Sequence, residues 1–554
     1  MKTTINLLIF LLYLSSINGL YAQPGSFGGP VIPYQLNESP LFGKDIIIHD
    51  MGYQNQRCVA ICSAYNGWLY AIFSHSTTDT SFLWSIMKST DNGITWIAIV
   101  DGGNSYGYRP LSFGIVACGS DSSNIKVFTC AVDKWDDSER TDFAVEAFDG
   151  LTGNWLGYYL AGEGQDFTQY SNCSIASDYQ FPANISSPYS LGILYTKSSL
   201  LNYYRDSLIF LSSSDGGVTL NNKQVVAVAK NLSHKFGTVT LSYGYSPTWN
   251  SGRYFAAWED KDTENANLGH IYTSHTNTEI NSQFSKPICL DSLDASSINL
   301  LRNPRISCQT SITDNDSSNL TQVVIFEKYS LSSNSFDLAG CYNLQAASTS
   351  YFKSLNLAVT NHNEMQPEIT FNDFDNTFYV TYYDSTAQKL PLVVNNVNMA
   401  SPDDWNVISN GYNNDPNLIT PHPEIAINPT QHECANVWIA ERGNGNGVAM
   451  FDAQYSTYTG IPFDNRGNNE NFCRAFPNPC NQSVTFDFTL KRTQKATITL
   501  CNLQGQNLAV PTDQIFLAGR QQVKADVSRF NPGSYFYKLE TEDYSVSGKI
   551  SVMR

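Results

Sequence analysis

Between Arg57 and Ser456, short runs of aliphatic, β-branched and aromatic residues alternate with breaks of Gly, Asn, Asp and Ser, and no window sustains a helical period. That pattern predicts an all-β body. Three stretches can be laid over one another. They are NPRISCQTSITDNDSSNLTQVVIFEKYSLSSNSFDLAGCYN from Asn303, QPEITFNDFDNTFYVTYYDSTAQKLPLVVNN from Gln366 and HPEIAINPTQHECANVWIAERGNGNGVAMFDAQYS from His422. Each reads as a strand, a polar turn, a strand ending in charged or aromatic residues, a loop and a third strand. Looser copies start at Thr238 and near Ser174, Phe113 and Arg57, which makes seven units. Their spacing of about 55 to 70 residues suits four-stranded units with generous loops.

The seventh unit stops near Ser456 after three strands, and the strand-like segment DIIIHD, Asp45 to Asp50, precedes the first. An N-terminal strand completing the last unit would close a ring and remove its open edges. A β-propeller over residues 23–456, with seven blades (six as the alternative), accounts for the repeat, the short last unit and the extra first strand together.

One turn in this pattern is specific. Ser89, Asp91, Gly93, Thr95 and Trp96 in STDNGITW resemble the S-x-D-x-G-x-T-W Asp-box of sialidase-like (BNR) propellers at every defining position. SSDGGVTL repeats it with Ser213, Asp215, Gly217 and Thr219, and FDGLTGNW from Phe148 is a decayed third copy. An Asp carboxylate can accept hydrogen bonds from its own turn, Gly supplies a conformation closed to other residues, and Trp buries a large ring under the hairpin. The resemblance implies a structural turn joining the two outer strands of a blade, on the face opposite the active site.

Composition changes the picture at the two ends. The start, MKTTINLLIFLLYLSSINGLYA, has the anatomy of a secretory signal peptide over residues 1–22; its apolar run is short for a bilayer of roughly 30 Å. All twelve cysteines lie beyond it, so some disulfides are plausible in an exported chain, with free buried thiols the alternative for several; Cys118 and Cys130 flank the turn GSDSSN and could face each other across a hairpin. No paired CxxC motif points to zinc. Residues 457–472 read as a polar linker. The segment 473–554 resembles the C-terminal sorting domain of the type IX secretion system of Bacteroidetes. The resemblance rests on Pro477-Asn478-Pro479, Gln504-Gly505, Pro532-Gly533-Ser534-Tyr535-Phe536 and a terminal strand with Gly548-Lys549. It implies a small β-sandwich that engages the type IX secretion machinery and is usually cleaved off. The whole chain carries a net charge of −17 while the tail is basic, so the body is strongly acidic and should repel nucleic acid and anionic lipid.

Candidate chemistry is thinner. Sialidase-like catalysis needs clustered arginines, a Tyr–Glu nucleophile pair and an acid Asp. No F-R-I-P motif is present; Asn303-Pro304-Arg305-Ile306 is the nearest string, and it fits the blade repeat. No catalytic residue is assigned. Within a hairpin the start of one strand lies beside the end of the next. Arg57, Arg305, Glu368 and Glu424 at first-strand starts, with Glu259, Glu327, Tyr383 and Glu441 at second-strand ends, are therefore expected around one mouth of the central channel. Such residues can also be polar only because strand ends meet water. No cofactor or metal is expected, although Thr313 to Asn319 (TDNDSSN) gathers oxygen ligands that could hold calcium. Asp206-Ser207-Leu208, Asp291-Ser292-Leu293 and Asp384-Ser385-Thr386 resemble a Bacteroidetes O-glycosylation sequon. The resulting expectation is a secreted or cell-surface propeller that binds a glycan or surface protein. A sialidase-like glycoside hydrolase is the alternative, and a surface-layer component is a third reading.

Overall fold

The computed structural model describes residues 42–454 and 473–552 with short internal gaps, among them 51–54, 163–167 and 179–188. The expected signal peptide, the linker, the calcium candidate and the Pro477-Asn478-Pro479 and Gln504-Gly505 motifs lie outside the described residues. The chain divides into two compact units, Met1–Tyr458 and Thr459–Arg554.

The first unit is built from seven antiparallel sheets, six of consecutive strands and a seventh that takes one strand from the N-terminal segment. Blades 1 to 6 span residues 55–101, 108–162, 168–228, 234–289, 301–358 and 364–409. Blade 1 adds a short strand, Ser105–Tyr106, on its third strand. Blade 7 takes three strands from residues 424–453 and its outermost from Ile46–Ile47, paired as Ile46 with Phe451 and Ile47 with Met450. The inner strands run Asn55–Ser63, Tyr108–Cys118, Thr168–Ser177, His234–Gly244, Leu301–Cys308, Glu364–Asn372 and Glu424–Asn428. Each packs against the next, and the last packs against the first. The unit is a closed seven-bladed propeller, and the N-terminal strand closes it.

Both faces of a blade are covered by its neighbours, so the middle strands read as continuous apolar runs rather than as alternation. Tyr254, Phe255, Ala256, Ala257 and Trp258 follow one another, all buried. Tyr254 and Ala256 pack toward blade 3, Phe255 and Ala257 toward blade 5. The core is accordingly divided among the blade interfaces. At the closing interface Val59, Ile61 and Phe73 of blade 1 meet Val437, Ile439 and Phe451 of blade 7.

The turn at 89–96 joins the third and fourth strands of blade 1, and those at 213–220 and 149–154 do the same in blades 3 and 2. In an antiparallel blade that turn lies at the end opposite the start of the inner strand. Asp91 accepts hydrogen bonds from Ser89 Oγ (2.8 Å), Thr95 N (2.9 Å) and Thr95 Oγ1 (2.6 Å). Asp215 repeats the set with Ser213 and Thr219. Asp149 keeps part of it through Leu151 and Thr152. Trp96 donates to Gly93 O and sets its ring edge-on to Phe451 of blade 7, 5.2 Å between centroids. Gly93 has φ +85°, and a Cβ there would come within 1.9 Å of the Phe451 ring. The turn therefore anchors blade 1 to blade 7 as well as closing a hairpin.

The expectation that Cys118 faces Cys130 is not met. In this hairpin Cys118 lies opposite Lys126 and Cys130 opposite Gly114, and all twelve cysteines are free thiols. The turn sets the register, and that register carries the two thiols past each other.

The second unit is a β-sandwich. One sheet orders Cys473–Phe476, Ser483–Leu490 and Gly519–Asp526; the other orders Asn507–Phe516, Gln494–Cys501, Gly533–Thr541 and Ser545–Val552. Phe486 and Phe488 of the first sheet pack with Ile498, Leu500, Leu539 and Ile550 of the second. The last strand contains Gly548 and Lys549.

Gly93→Ala forces a side chain into Phe451 at a left-handed position. It should lower stability by about 1–3 kcal/mol, read as the shift of the urea midpoint; an unshifted midpoint would mean the ring moves freely aside. Bonds from Ser213 and Thr219 hold the Asp215 carboxyl down at about 2. Because its folded value is depressed, the stabilisation it gives is present above the unfolded value of about 3.9 and fades as pH falls toward about 2. Urea denaturation between pH 5 and 2 should lose stability less steeply in Asp215→Asn than in wild type.

Candidate functional site

The X-Pro-charged-Ile repeat has a backbone cause. Asn303, Gln366 and His422 have φ of 54°, 51° and 44°, and each is followed by a proline. In blades 5 and 6 this is a β-bulge, with register shifts between Arg302 and Arg305 and between Met365 and Glu368. Blade 1 bulges at Cys58, φ 47°, without the proline. Proline brings no N–H to the interrupted ladder, so the bulge leaves no donor stranded there. The residue after each proline is then set at the same place in three successive blades. Those residues are Arg305, Glu368 and Glu424, and all three line the central channel. Counting from the left-handed residue, blade 1 has Ala60 at that place.

The channel encloses about 290 Å³ and is walled by all seven inner strands. Arg305 Nε donates to Glu368 Oε2 at 2.5 Å, while Nη1 donates to Asn303 Oδ1 (3.1 Å) and Pro304 O (3.0 Å). The Arg305 and Glu368 side chains are 21% and 16% exposed. Burial would lower the Arg305 guanidinium, but Glu368, Glu424 and Glu327 outweigh it and its pKa is raised. Burial pushes the Glu368 carboxyl up against the pull of Arg305. Glu424 is pushed up further, by burial and by the neighbouring Glu368, with Arg305 opposing only in part. His422 reaches solvent at the same end of the strand; the surrounding protein and the Arg305 charge push its imidazole down, so it is neutral near pH 7.

Glu259 and Glu327 sit one layer out and act between blades. Glu259 accepts from the backbone N of Asn303 (3.3 Å) and pairs with Lys261 (3.4 Å). Glu327 accepts from the backbone N of Gln366 (2.8 Å), from Asn303 Nδ2 (2.9 Å) and from Arg302 Nε (2.5 Å). Gln366 Oε1 in turn accepts from the backbone N of His422 at 3.0 Å. Each left-handed residue is thus held by a side chain of the preceding blade. The remaining expected residues are not among those lining the channel. Arg57 offers its carbonyl to Ser74 Oγ. Tyr383 is buried, with its hydroxyl bonded to Leu418 O and Gln388 Nε2. Glu441 ends the second strand of blade 7. Reading charge alone passed over His422, Asn303 and Gln366; the residue before each proline of the repeat was the available signal.

Comparison with known proteins divides along the same line as the two units. Residues 474–553 match the secretion system C-terminal sorting domain family, and the chain carries the type IX sorting signal that leads to the cell surface or extracellular space. Among the described residues no helix is long and apolar enough to cross a membrane. No curated protein matches the chain. Among solved structures, a GH93 α-L-arabinofuranosidase of Fusarium graminearum in complex with arabinobiose aligns with 13% identity and a TM-score of 0.43, covering 66% of this chain and 96% of that one. A protein of unknown function from Dyadobacter fermentans aligns with 9% identity and a TM-score of 0.41, covering 75% and 100%. Prolyl oligopeptidase B from Galerina marginata gives 8% and 0.39, covering 78% and 55%. These likenesses are distant, and the fold rests on the sheet order itself.

The two kinds of carboxylate should respond oppositely to mutation. Glu327→Ala leaves Arg302 and two donors without their acceptor and should destabilise by about 2 kcal/mol or more. Glu424 has its folded pKa raised, so the stability it supports is full below the unfolded value of about 4.3 and is lost as pH rises. Glu424→Gln should therefore match wild type near pH 4 and exceed it at pH 8 in denaturation midpoint. A Gln variant that is weaker at pH 8 would mean that Glu424 makes a structural bond.

Proposed function

We propose that the protein is a surface-delivered binding module whose channel mouth recognises the polar tip of a glycan or surface protein. The observation that carries this reading is the convergence of Arg305, Glu368 and Glu424 at one level of the channel, where burial and the neighbouring Glu368 oppose ionisation of the Glu424 carboxyl. Among the described residues its carboxyl accepts no hydrogen bond. A group kept at a cost to stability is more economically explained by a ligand than by the fold. At about 290 Å³ the channel stands at the lower bound of small-molecule sites, roughly 300 Å³. That volume suits a single terminal sugar ring or side chain and not the interior of a polymer. The acidic body argues against anionic polymers as partners.

The S-x-D-x-G-x-T turns support a sialidase-like origin for the propeller, with the ligand on the face away from them. A signal peptide ending at Ala22 would begin the export that the sorting domain completes.

One observation favours a second reading, glycoside hydrolysis. A carboxyl that holds its proton beside an arginine-held carboxylate is the pair such chemistry uses, with Glu424 as acid and Glu368 as base or nucleophile. The full chain should be screened for binding to terminal-sugar glycans and surface proteins, and for product release from sialosides and other glycosides. Binding without turnover, weakened about tenfold or more in Glu424→Gln, is the expected result. Turnover that the same substitution abolishes would make the protein a hydrolase. Ligand binding that Glu424→Gln leaves intact would remove the channel mouth from consideration.

A further inference from the structure

We propose that His270, Cys289 and Asp291 bind a divalent transition-metal ion of the zinc class on one face of blade 4, a site independent of the channel. The third strand of that blade is Gly269–His275 and the fourth is Ile288–Cys289, with Tyr272 opposite Cys289. Leu290 N extends the ladder by donating to Ile271 O at 2.8 Å, which brings Asp291 beside His270. Pleating then places His270, Cys289 and Asp291 on the same face, with Cys289 and Asp291 two residues apart along the fourth strand and its extension. Leu290, between the two ligands, points the other way and is buried.

The three side chains have closed on one another. His270 Nδ1 lies 2.5 Å from Asp291 Oδ2, and Cys289 Sγ lies 2.5 Å from Asp291 Oδ1. One imidazole nitrogen, one sulfur and one carboxylate fall within 4.8 Å of each other. Tetrahedral bonds of about 2.0–2.3 Å place ligand atoms roughly 3.3–3.8 Å apart, a spacing small side-chain rotations reach here.

The ligand types select the ion. Nitrogen with thiolate suits zinc and related borderline metals, whereas calcium and magnesium take oxygen alone. The surroundings support the same choice. Asp260 lies opposite His270 on the second strand and is held by His234 Nδ1 at 2.8 Å, so a second carboxylate stands beside the imidazole. Trp258 and Tyr272 stack at 5.9 Å on the inward side of Cys289 and give the site an apolar flank. Three protein ligands leave a fourth position for water or for a group from outside. An uncoordinated, half-buried thiol is also poorly suited to an oxidising exterior, and coordination would protect it.

Titration calorimetry of the metal-stripped full chain with Zn²⁺ tests this, alongside the thiolate-to-metal absorption of Co²⁺. One equivalent of either ion should bind. Cys289→Ser should remove the Co²⁺ absorption, and His270→Ala should weaken Zn²⁺ by about tenfold or more, while Cys501→Ser in the sandwich leaves both unchanged. Zn²⁺ should raise the wild-type melting temperature but not that of Asp291→Asn, which checks the site in a variant that keeps its shape. No stoichiometric uptake, or uptake that Cys289→Ser and His270→Ala leave unaltered, would overturn the proposal.

Discussion

Ile46 and Ile47, paired to the outer edge of blade 7, are the contact on which the rest of the propeller depends. No blade has a core of its own, since each buries its faces only against two neighbours. Without closure, the Phe451 and Ile439 side of blade 7 would meet water, and so would the Val59 and Phe73 side of blade 1. The join is reinforced at several levels. Gln56 accepts from Ala449 N and donates to His49 O, Ser63 Oγ donates to Ile427 O, and Asn428 reaches Gly67 O and Asn92. Trp96 and Gly93 press on Phe451 from the turn below. The opening motif of blade 1 thus serves ring closure as much as its own hairpin.

The channel site follows from the same inter-blade constraint. A bulge at the start of an inner strand would be a weak point, because it breaks the ladder and asks non-glycine residues for positive φ. Glu259, Glu327 and Gln366 compensate by bonding the exposed backbone N–H groups from the preceding blade. The reward is geometric. Once the bulge is fixed, the next side chain is aimed at the axis, and three blades in a row present Arg305, Glu368 and Glu424 together. Glu424 is the member without a structural role in this scheme.

Much of this was legible in the chain. The repeat located all seven inner strands, and the short seventh unit with DIIIHD foretold the closing strand. The reason is that blade strands are locally encoded by apolar runs and turn residues. What a strand end does was less legible. Arg305, Glu368 and Glu327 look alike as charges beside strand termini, yet two line the channel and one clasps the next blade. That difference arises from which strand carries the residue and, on the inner strand, from a one-residue bulge, neither of which composition displays. The Cys118–Cys130 expectation failed for a related reason, since flanking a turn does not fix which residues sit opposite. His270, Cys289 and Asp291 were hidden because two of them lie beyond a twelve-residue loop and meet His270 only when the fourth strand docks.

Closure by the first strand also sets an order on folding. Gly43 donates to Asp452 across 409 residues, so the contact that seals the ring is among the most distant in the chain. Such pairings form late, because the entropy of closing the loop must be overcome before they return any energy. Six blades can stack as the chain emerges, but the seventh remains one strand short until the N-terminal segment reaches it. A polypeptide interrupted anywhere before Phe451 would therefore keep an unpaired edge and an uncovered apolar face. Ring closure thereby distinguishes a finished propeller from an unfinished one.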